Sequence, residues 1–270
     1  MNWENFNVVI TDSIASVCFN RPARANALNE QSWHEMRSIF QQLSDDEEVR
    51  VIILAGEGKH FCAGIDLELL MSLNQMKSIT CEGRRSEHLR KFILELQDAV
   101  TAIEKCAKPV IASIHNGCIG GGVDIAAACD MRYCTDDTYF TIKEIDMGMV
   151  ADLGTLQRLP KLISPGLVAE MAYTGRKVYG PEAERIGLVN ASTKTKAELD
   201  VHVKQIATSI CSKSPLSIRG TKEMLKYSRD HSVEDSLNQM ATWNAAMILS
   251  EDLTEAFMAT KEKRQAAFKN

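Results

Sequence analysis

The stretch His115-Asn116-Gly117-Cys118-Ile119-Gly120-Gly121-Gly122-Val123-Asp124 decides the fold, read with the apolar run Val110 to Ile114 before it and Ala126-Ala127-Ala128 after it. Five β-branched and small residues make a buried strand, three consecutive glycines break it, and an alanine-rich helix follows. In α/β folds such strand–turn–helix units place ligands at the carboxyl ends of the strands. Glycines let the backbone come close to a ligand. The first turn of the helix offers unpaired N–H groups at the positive end of its dipole, which suits an oxyanion. The same glycines also serve close helix–strand packing, and the segment alone does not choose between the two uses. A dinucleotide site is disfavoured, because the G-x-G-x-x-G spacing is absent.

Upstream, Arg50 to Gly64 repeats the pattern of Lys108 to Gly122: a basic residue, an apolar strand, a glycine-bearing turn and a helix. Phe61-Cys62-Ala63-Gly64-Ile65-Asp66 therefore occupies the place in its unit that the triple glycine occupies in the other. One N–H from each turn converging on a single carbonyl oxygen would make an oxyanion hole, each donor worth about 2.7–4 kcal/mol in acyl chemistry.

Towards the amino terminus, Val8 to Thr11 and Ile14 to Phe19 are β-branched runs separated by Asp12-Ser13, the pattern of a hairpin, with a turn at Arg21-Pro22. Trp33, Met36, Phe40 and Leu43 recur at helical spacing after Asn29, and Val49 to Leu54 is a strand-length run. Glu82 to Lys105 carries a long helical face through Leu89, Phe92, Ile93, Leu96, Val100 and Ile103. From about Thr195 the pattern becomes helical throughout, over Ala197–Ser212, Leu216–Ser228, Val233–Leu249 and Asp252–Ala267. The expected organisation is an α/β body over 1–194 and a helical region over 195–270, packed on the body or on a neighbouring subunit, since no flexible linker separates them.

Composition narrows the function. The 270 residues are 45% hydrophobic and 25% charged, as in ordinary globular proteins. Lys and Arg number 31 against 36 Asp and Glu, a net charge of −5. No diffuse cationic surface is available for nucleic acid or an anionic membrane, so an anionic ligand has to be met by local cations. No apolar run reaches the roughly 18 residues of a membrane span. Met1 to Ser13 lacks Lys and Arg and fits neither a signal nor a transit peptide, and the closing Ala267-Phe268-Lys269-Asn270 is no peroxisomal address. A cytoplasmic protein is expected, or a mitochondrial or peroxisomal one if a targeting segment has been removed. The eight cysteines contain no C-x-x-C pair and are read as reduced, mostly buried thiols. No zinc spacing, H-E-x-x-H or G-x-S-x-G motif is present, so no metal site or hydrolase triad is expected.

Three carboxylates lie in apolar or glycine-rich surroundings: Asp124 beside the triple glycine, Glu144 in Phe140–Ile145, and Asp152 in Met149–Gly154. Such acids have raised pKa values and exchange protons near neutrality. Each taken alone is also compatible with a helix cap or a solvated loop acid. Asp130 and Asp146 are read in that second way, as is His115 as a turn or core histidine.

The string IHNGCIGGGVDIAAACDMRY, with FCAGID upstream and KEIDMGMVADLGTLQRLP downstream, resembles the crotonase or enoyl-CoA hydratase/isomerase superfamily, and within it the dienoyl-CoA isomerase branch. The likeness runs from Asn20-Arg21-Pro22 to Lys263-Arg264. It implies a crotonase-like spiral of ββα units, a helical C-terminal trimerisation region and a homotrimer or a homohexamer built from two trimers. It implies an acyl-CoA thioester held with its carbonyl between the N–H groups of Ile65 and Gly121, the positions already chosen by the two turns. Coenzyme A would be part of the substrate, no other cofactor would be needed, and CoA-binding positions fall at Arg24, Ala27, Ala63, Asp66 and Lys263. Hydratases of the family carry glutamates at the positions of Asp124 and Glu144 and glycine at that of Asp152. This chain instead has the triplet of the isomerases that convert 3,5-dienoyl-CoA to 2,4-dienoyl-CoA.

The resemblance thus implies that Glu144 takes a proton from C2, Asp152 delivers one at C6, and Asp124 tunes Glu144 or helps position the substrate. Both Glu144 and Asp152 are expected to face a buried acyl chain. Two other readings stand beside this one: an enoyl-CoA hydratase or simple enoyl-CoA isomerase that tolerates Asp124, and a non-catalytic acyl-CoA or RNA-binding relative. The acidic balance argues against RNA, and the presence of all three acids argues against lost catalysis.

Overall fold

Asp12 and Ser13 both take left-handed backbone, with φ of 54° and 61°, as a two-residue hairpin turn matched to strand twist requires. They join strands β1 (Phe6–Thr11) and β2 (Ile14–Phe19) in antiparallel register from Phe6–Phe19 to Thr11–Ile14. The computed structural model describes residues 3–270; Met1 and Asn2, at the head of the expected 1–194 body, lie outside the described residues.

Helix α1 (Glu30–Asp45) starts where Asn29 caps it, the side chain accepting the N–H of Ser32, and buries Trp33, Met36, Ile39, Phe40 and Leu43 on one face. Strand β3 (Val51–Gly56) begins two residues later than the apolar run, because Val49 spends its N–H on Asp46 in the preceding turn. After it come the short α2 (Leu67–Ser72), capped by Asp66, and the long α3 (Glu82–Lys105) at the expected bounds. Strand β4 (Val110–Ile114) is buried at every residue and leads into β5 (Gly117–Ile119) and α4 (Gly121–Ala128). There follow β6 (Met131–Thr135), β7 (Tyr139–Thr141), α5 (Thr155–Arg158), α6 (Pro165–Thr174), β8 (Val178–Tyr179), α7 (Gly180–Arg185) and β9 (Ala191–Thr193).

The larger sheet has the order β1-β2-β3-β4-β6-β9, parallel throughout except for β1, and a smaller sheet has the order β5-β7-β8. The chain thus alternates a strand of the large sheet, a short strand of the small one and a helix, which is the expected ββα repeat. The unit after β3 keeps only a trace of its short strand, an isolated bridge pairing Cys62 with Cys118 of β5. That bridge sets the two glycine-bearing turns side by side at the carboxyl ends of β3 and β4.

The all-helical end comprises α8 (Lys196–Cys211), α9 (Pro215–Asp230), α10 (Val233–Met247) and α11 (Glu251–Glu262). Leu199, Val203 and Ala207 of α8 pack on Ile14, Val51, Ile111 and Tyr133 of the large sheet. Residue 195 therefore marks a change of secondary structure, and packing continues across it. Helix α9 is held to the body by Lys222, which reaches Asp130 at 2.7 Å and the carbonyl of Lys108 at 2.9 Å. Helix α11 stops five residues short of the expected Ala267: Lys263 turns to φ 55°, so Lys263 and Arg264 follow the helix.

Candidate active site

Gly64, at φ +81°, packs against the triple glycine so tightly that a Cβ on it would lie 2.7 Å from the carbonyl of Ile119 and 2.8 Å from the nitrogen of Gly121. The nitrogen of Ile65 in turn lies 3.6 Å from where a Cβ on Gly121 would sit. The flanking pairing of Leu28 with Ile65 uses the N–H groups of Leu28 and Asp66. Among the described residues, neither Ile65 nor Gly121 donates its own N–H to any backbone or side-chain acceptor. Two unpaired amides from two turns meet here, able to hold an oxygen on which negative charge develops. Both uses read for the glycines are present. Gly122 serves packing, with a Cβ at that position falling 2.7 Å from the carbonyl of Cys62, while Gly120 and Gly121 face the site.

Glu144 opens a 3-10 turn (Glu144–Met147) directly after β7, and its Oε1 lies against Gly120. The turn is aimed by β7, whose Thr141 carbonyl accepts the N–H of Gly120 at 2.9 Å. Asp124, in the first turn of α4, has no exposed surface. Its Oδ1 accepts the N–H of Thr155 at 2.6 Å. Oε2 of Glu144 and Oδ2 of Asp124 are buried without a hydrogen-bond partner. Loss of water and the repulsion of Asp124 and Asp152 push Glu144 from 4.5 up to about 7. Burial, against the Thr155 hydrogen bond and with Asp152 repelling, pushes Asp124 up to about 6. Asp152 is likewise raised by desolvation, opposed by a hydrogen bond from its own backbone. The three acids thus form one electrostatic cluster beside the unpaired amides. Both proton-carrying acids are expected to face a buried acyl chain; in the single chain Glu144 is half-buried, and Asp152, on a loop that runs along the surface, is exposed.

The residues expected near coenzyme A are brought together in part. The segment around Ala27 pairs with the segment around Ala63: Ala63 donates to Ala25 at 3.0 Å, Leu28 to Gly64 at 2.7 Å and Asp66 to Leu28 at 2.9 Å. Asp66 is buried, forming an ion pair with Arg21 at 2.9 Å and capping α2. Arg24 pairs with Glu68. Both cations of the early loop therefore meet acids of this chain. Lys263 is not brought to them. The tail it begins runs to the start of β3, where Arg50 holds the carbonyl of Phe268 at 2.5 Å. Arg264 is engaged by Glu255 and Glu262.

The structural readings of other residues hold. Asp130 takes the N–H of Val110 and the ammonium of Lys222, each at 2.7 Å, and Asp146 pairs with Lys143. His115 is buried with its Nε2 3.0 Å from the carbonyl of Gly58. All eight cysteines are free, and burial pushes Cys62 and Cys129 up to about 12.

Sequence reasoning missed Asn26. Buried, with φ 57°, it donates to the carbonyls of Glu57 (2.9 Å), His60 (2.7 Å) and Phe61 (3.2 Å) and accepts from the N–H of Arg21, locking the early loop to the turn that carries Ile65. It also missed Gln97, Thr101 and Glu104, which lie on one face of α3 towards the Asp152 loop. Their i, i+4, i+7 spacing was visible, but no local signal named what they face.

Comparison with known proteins shows the family and the fold. The family profile for enoyl-CoA hydratase/isomerase matches residues 9–270. The peroxisomal Delta(3,5)-Delta(2,4)-dienoyl-CoA isomerase of Arabidopsis thaliana is 49% identical over 95% of this chain and 92% of its own length. The mitochondrial enzyme of the same name from Mus musculus is 44% identical over 97% of this chain and 81% of its own. The crystal structure of enoyl-CoA hydratase from Bacillus anthracis superposes with a TM-score of 0.87 at 29% identity, covering 98% of this chain and 99% of that one. With the profile spanning nearly the whole sequence and these relatives 44% and 49% identical over almost all of it, the chain belongs to the enoyl-CoA hydratase/isomerase family.

Proposed function

We propose that this chain is an enzyme that isomerises 3,5-dienoyl-CoA to 2,4-dienoyl-CoA in the β-oxidation of unsaturated fatty acids. One observation carries the reading: two unpaired amides lie beside three acids of raised pKa, Glu144 pushed up by both others and Asp124 by Asp152, with Asp152 on a separate loop from the first two. The thioester oxygen sits between the N–H groups of Ile65 and Gly121. Glu144, ionised, takes a proton from C2, and the electron pair of that C–H bond spreads through the two double bonds towards the oxygen and C6. Asp152, protonated, gives its proton to C6. The pair becomes the new C6–H bond, the double bonds settle at C2 and C4, and the carbonyl reforms. Glu144 ends protonated and Asp152 ionised, and exchange with water restores both. No electron leaves the substrate, so no cofactor is proposed beyond the coenzyme A that the substrate brings. Asp124 keeps Glu144 basic enough to act near neutrality.

Arg24, Ala27, Ala63 and Asp66 are proposed to border the CoA moiety, and Lys263 to reach its phosphates only in an assembly. Homotrimers or homohexamers are supported by apolar side chains that one chain leaves bare. Leu225, Val233 and Leu237 on α9 and α10 are 67%, 77% and 65% exposed, and Ile145, Met147 and Val150 near Asp152 are also open. The cytoplasm is the proposed compartment, or an organelle if a targeting segment has been removed.

The test is a spectrophotometric assay with 3,5-octadienoyl-CoA, in which growth of 2,4-dienoyl absorbance reports the reaction. Asp152→Asn should abolish most of that growth. Wild-type turnover by Asp152→Asn would remove the far-end acid, and faster hydration of crotonyl-CoA than isomerisation would favour a hydratase.

A further inference from the structure

The loop that carries Asp152 has no regular structure between Met147 and Thr155, yet two successive carbonyls in it are gripped by side chains. Gln97 of α3 donates its Nε2 to the carbonyl of Asp152 at 2.6 Å. Arg158 donates Nη1 to the carbonyl of Leu153 at 3.2 Å. Arg158 is itself held from α3, by Glu104 at 2.9 Å and by the hydroxyl of Thr101 at 3.3 Å. The Arg158–Glu104 pair is largely buried, at 13% and 15% exposure. Gln97, Thr101 and Glu104 are one face of a helix whose neighbouring face, with Leu96, Val100 and Ile103, is set in the core. Together with Asp152, Leu153 and Gly154 of the loop they line a polar cavity of about 410 Å³.

We propose that this face of α3 positions the far-end acid, with Gln97 acting directly and Thr101 and Glu104 acting through Arg158. The inference rests on the reading of Asp152 as the proton donor to C6. Loop carbonyls normally turn to water and leave the backbone free to move. Fixing the carbonyl of Asp152 fixes the peptide plane that follows it. The backbone that bears the side chain is thereby set relative to α3. An acid that must reach a carbon several bonds from the thioester depends on such a hold, because displacements on the order of 1 Å cost about a hundredfold in rate. The arrangement also gives Arg158, in the KEIDMGMVADLGTLQRLP string, a purpose the chemistry alone leaves unexplained.

The test separates the two proton transfers. In D2O, exchange of the C2 proton in unreacted 3,5-octadienoyl-CoA reports Glu144, and growth of the 2,4-dienoyl product reports both acids. Gln97→Leu should lower kcat for isomerisation by about tenfold with KM and C2 exchange unchanged, and should add nothing in an Asp152→Asn background. Gln97→Met is the second variant should a branched side chain disturb the helix. The proposal is overturned if kcat stays within about twofold of wild type. It is also overturned if exchange falls in step with isomerisation, as general loosening would produce, or if the losses of the two variants multiply. Wild-type isomerisation by Asp152→Asn would remove the underlying reading itself, an outcome that no result on Gln97 mimics.

Discussion

Oε1 of Glu144 rests against Gly120 so closely that a Cβ on the glycine would lie 3.1 Å from it, and Gly120 holds φ +52°, a conformation side chains rarely adopt. The turn that presents the amide of Gly121 and the base that acts beside it are thus seated on each other. Gly120→Ala should cost about 1–3 kcal/mol of stability from backbone strain. Turnover should fall about tenfold, because the carboxylate has to give way by a few tenths of an ångström. A thermal melt and the dienoyl-CoA assay check both, and near-normal turnover would mean that the base is seated elsewhere.

Asp124 raises Glu144 by repulsion across the cluster. Asp124→Asn keeps the Oδ1 acceptor for the N–H of Thr155 and removes the charge. The base must be ionised, so kcat/KM should rise with pH through the pKa of Glu144, about 7 in the native chain. In the variant that acid limb should move to lower pH. A pH profile with its limb unmoved would uncouple the two acids.

Gly64→Ala tests the amide pair without touching an acid. Its Cβ would meet the carbonyl of Ile119 and the nitrogen of Gly121 at under 3 Å, in a backbone already at positive φ. Displacing one donor should lower kcat by about 10²–10³-fold, the size of a lost oxyanion contact. The acid limb of the pH profile should stay in place, because Glu144 keeps its neighbours. A shifted limb with unchanged kcat at its plateau would argue against a role for these amides.

How far the sequence carried this reading depends on how local each signal was. The triple glycine after Val110–Ile114 disclosed both a turn and its ligand-facing amides, since positive φ and close approach are written in the residue type itself. The repeat from Arg50 to Gly64 located the second amide at Ile65, and the pairing of Cys62 with Cys118 explains why the two turns meet. Helix bounds were legible where a cap marked them, as at Asn29, or where periodicity ran long, as along Glu82–Lys105, and failed after Glu262, where an ordinary lysine takes a left-handed turn. The openness of Asp152 was not legible, since apolar neighbours in sequence are here partly solvent-facing: Val150 is 72% exposed. Gln97 and Asn26 were silent for a related reason. Their partners are backbone carbonyls 55 and 31–35 residues away, and no pattern in the chain marks a carbonyl.

The same cluster that prepares Glu144 for catalysis opposes folding when it is ionised. The folded pKa of Glu144, about 7, lies above the ordinary glutamate value of 4.5, so between those values the native chain binds a proton that the unfolded chain has released. Stability linked to this proton is present in full below about pH 4.5 and is lost as pH rises through about 7. At 1.36 kcal/mol per pKa unit the difference amounts to about 3 kcal/mol above pH 7, an upper bound for a half-buried side chain. Glu144→Gln removes the ionisable group while keeping its shape, so it should raise the melting temperature at pH 8 and leave it nearly unchanged at pH 5, although isomerisation is lost. Parallel melts of the two proteins at the two pH values decide the point: an equal shift at both would place the effect in packing, and no shift at pH 8 would mean that the native carboxylate is better solvated than its surroundings indicate.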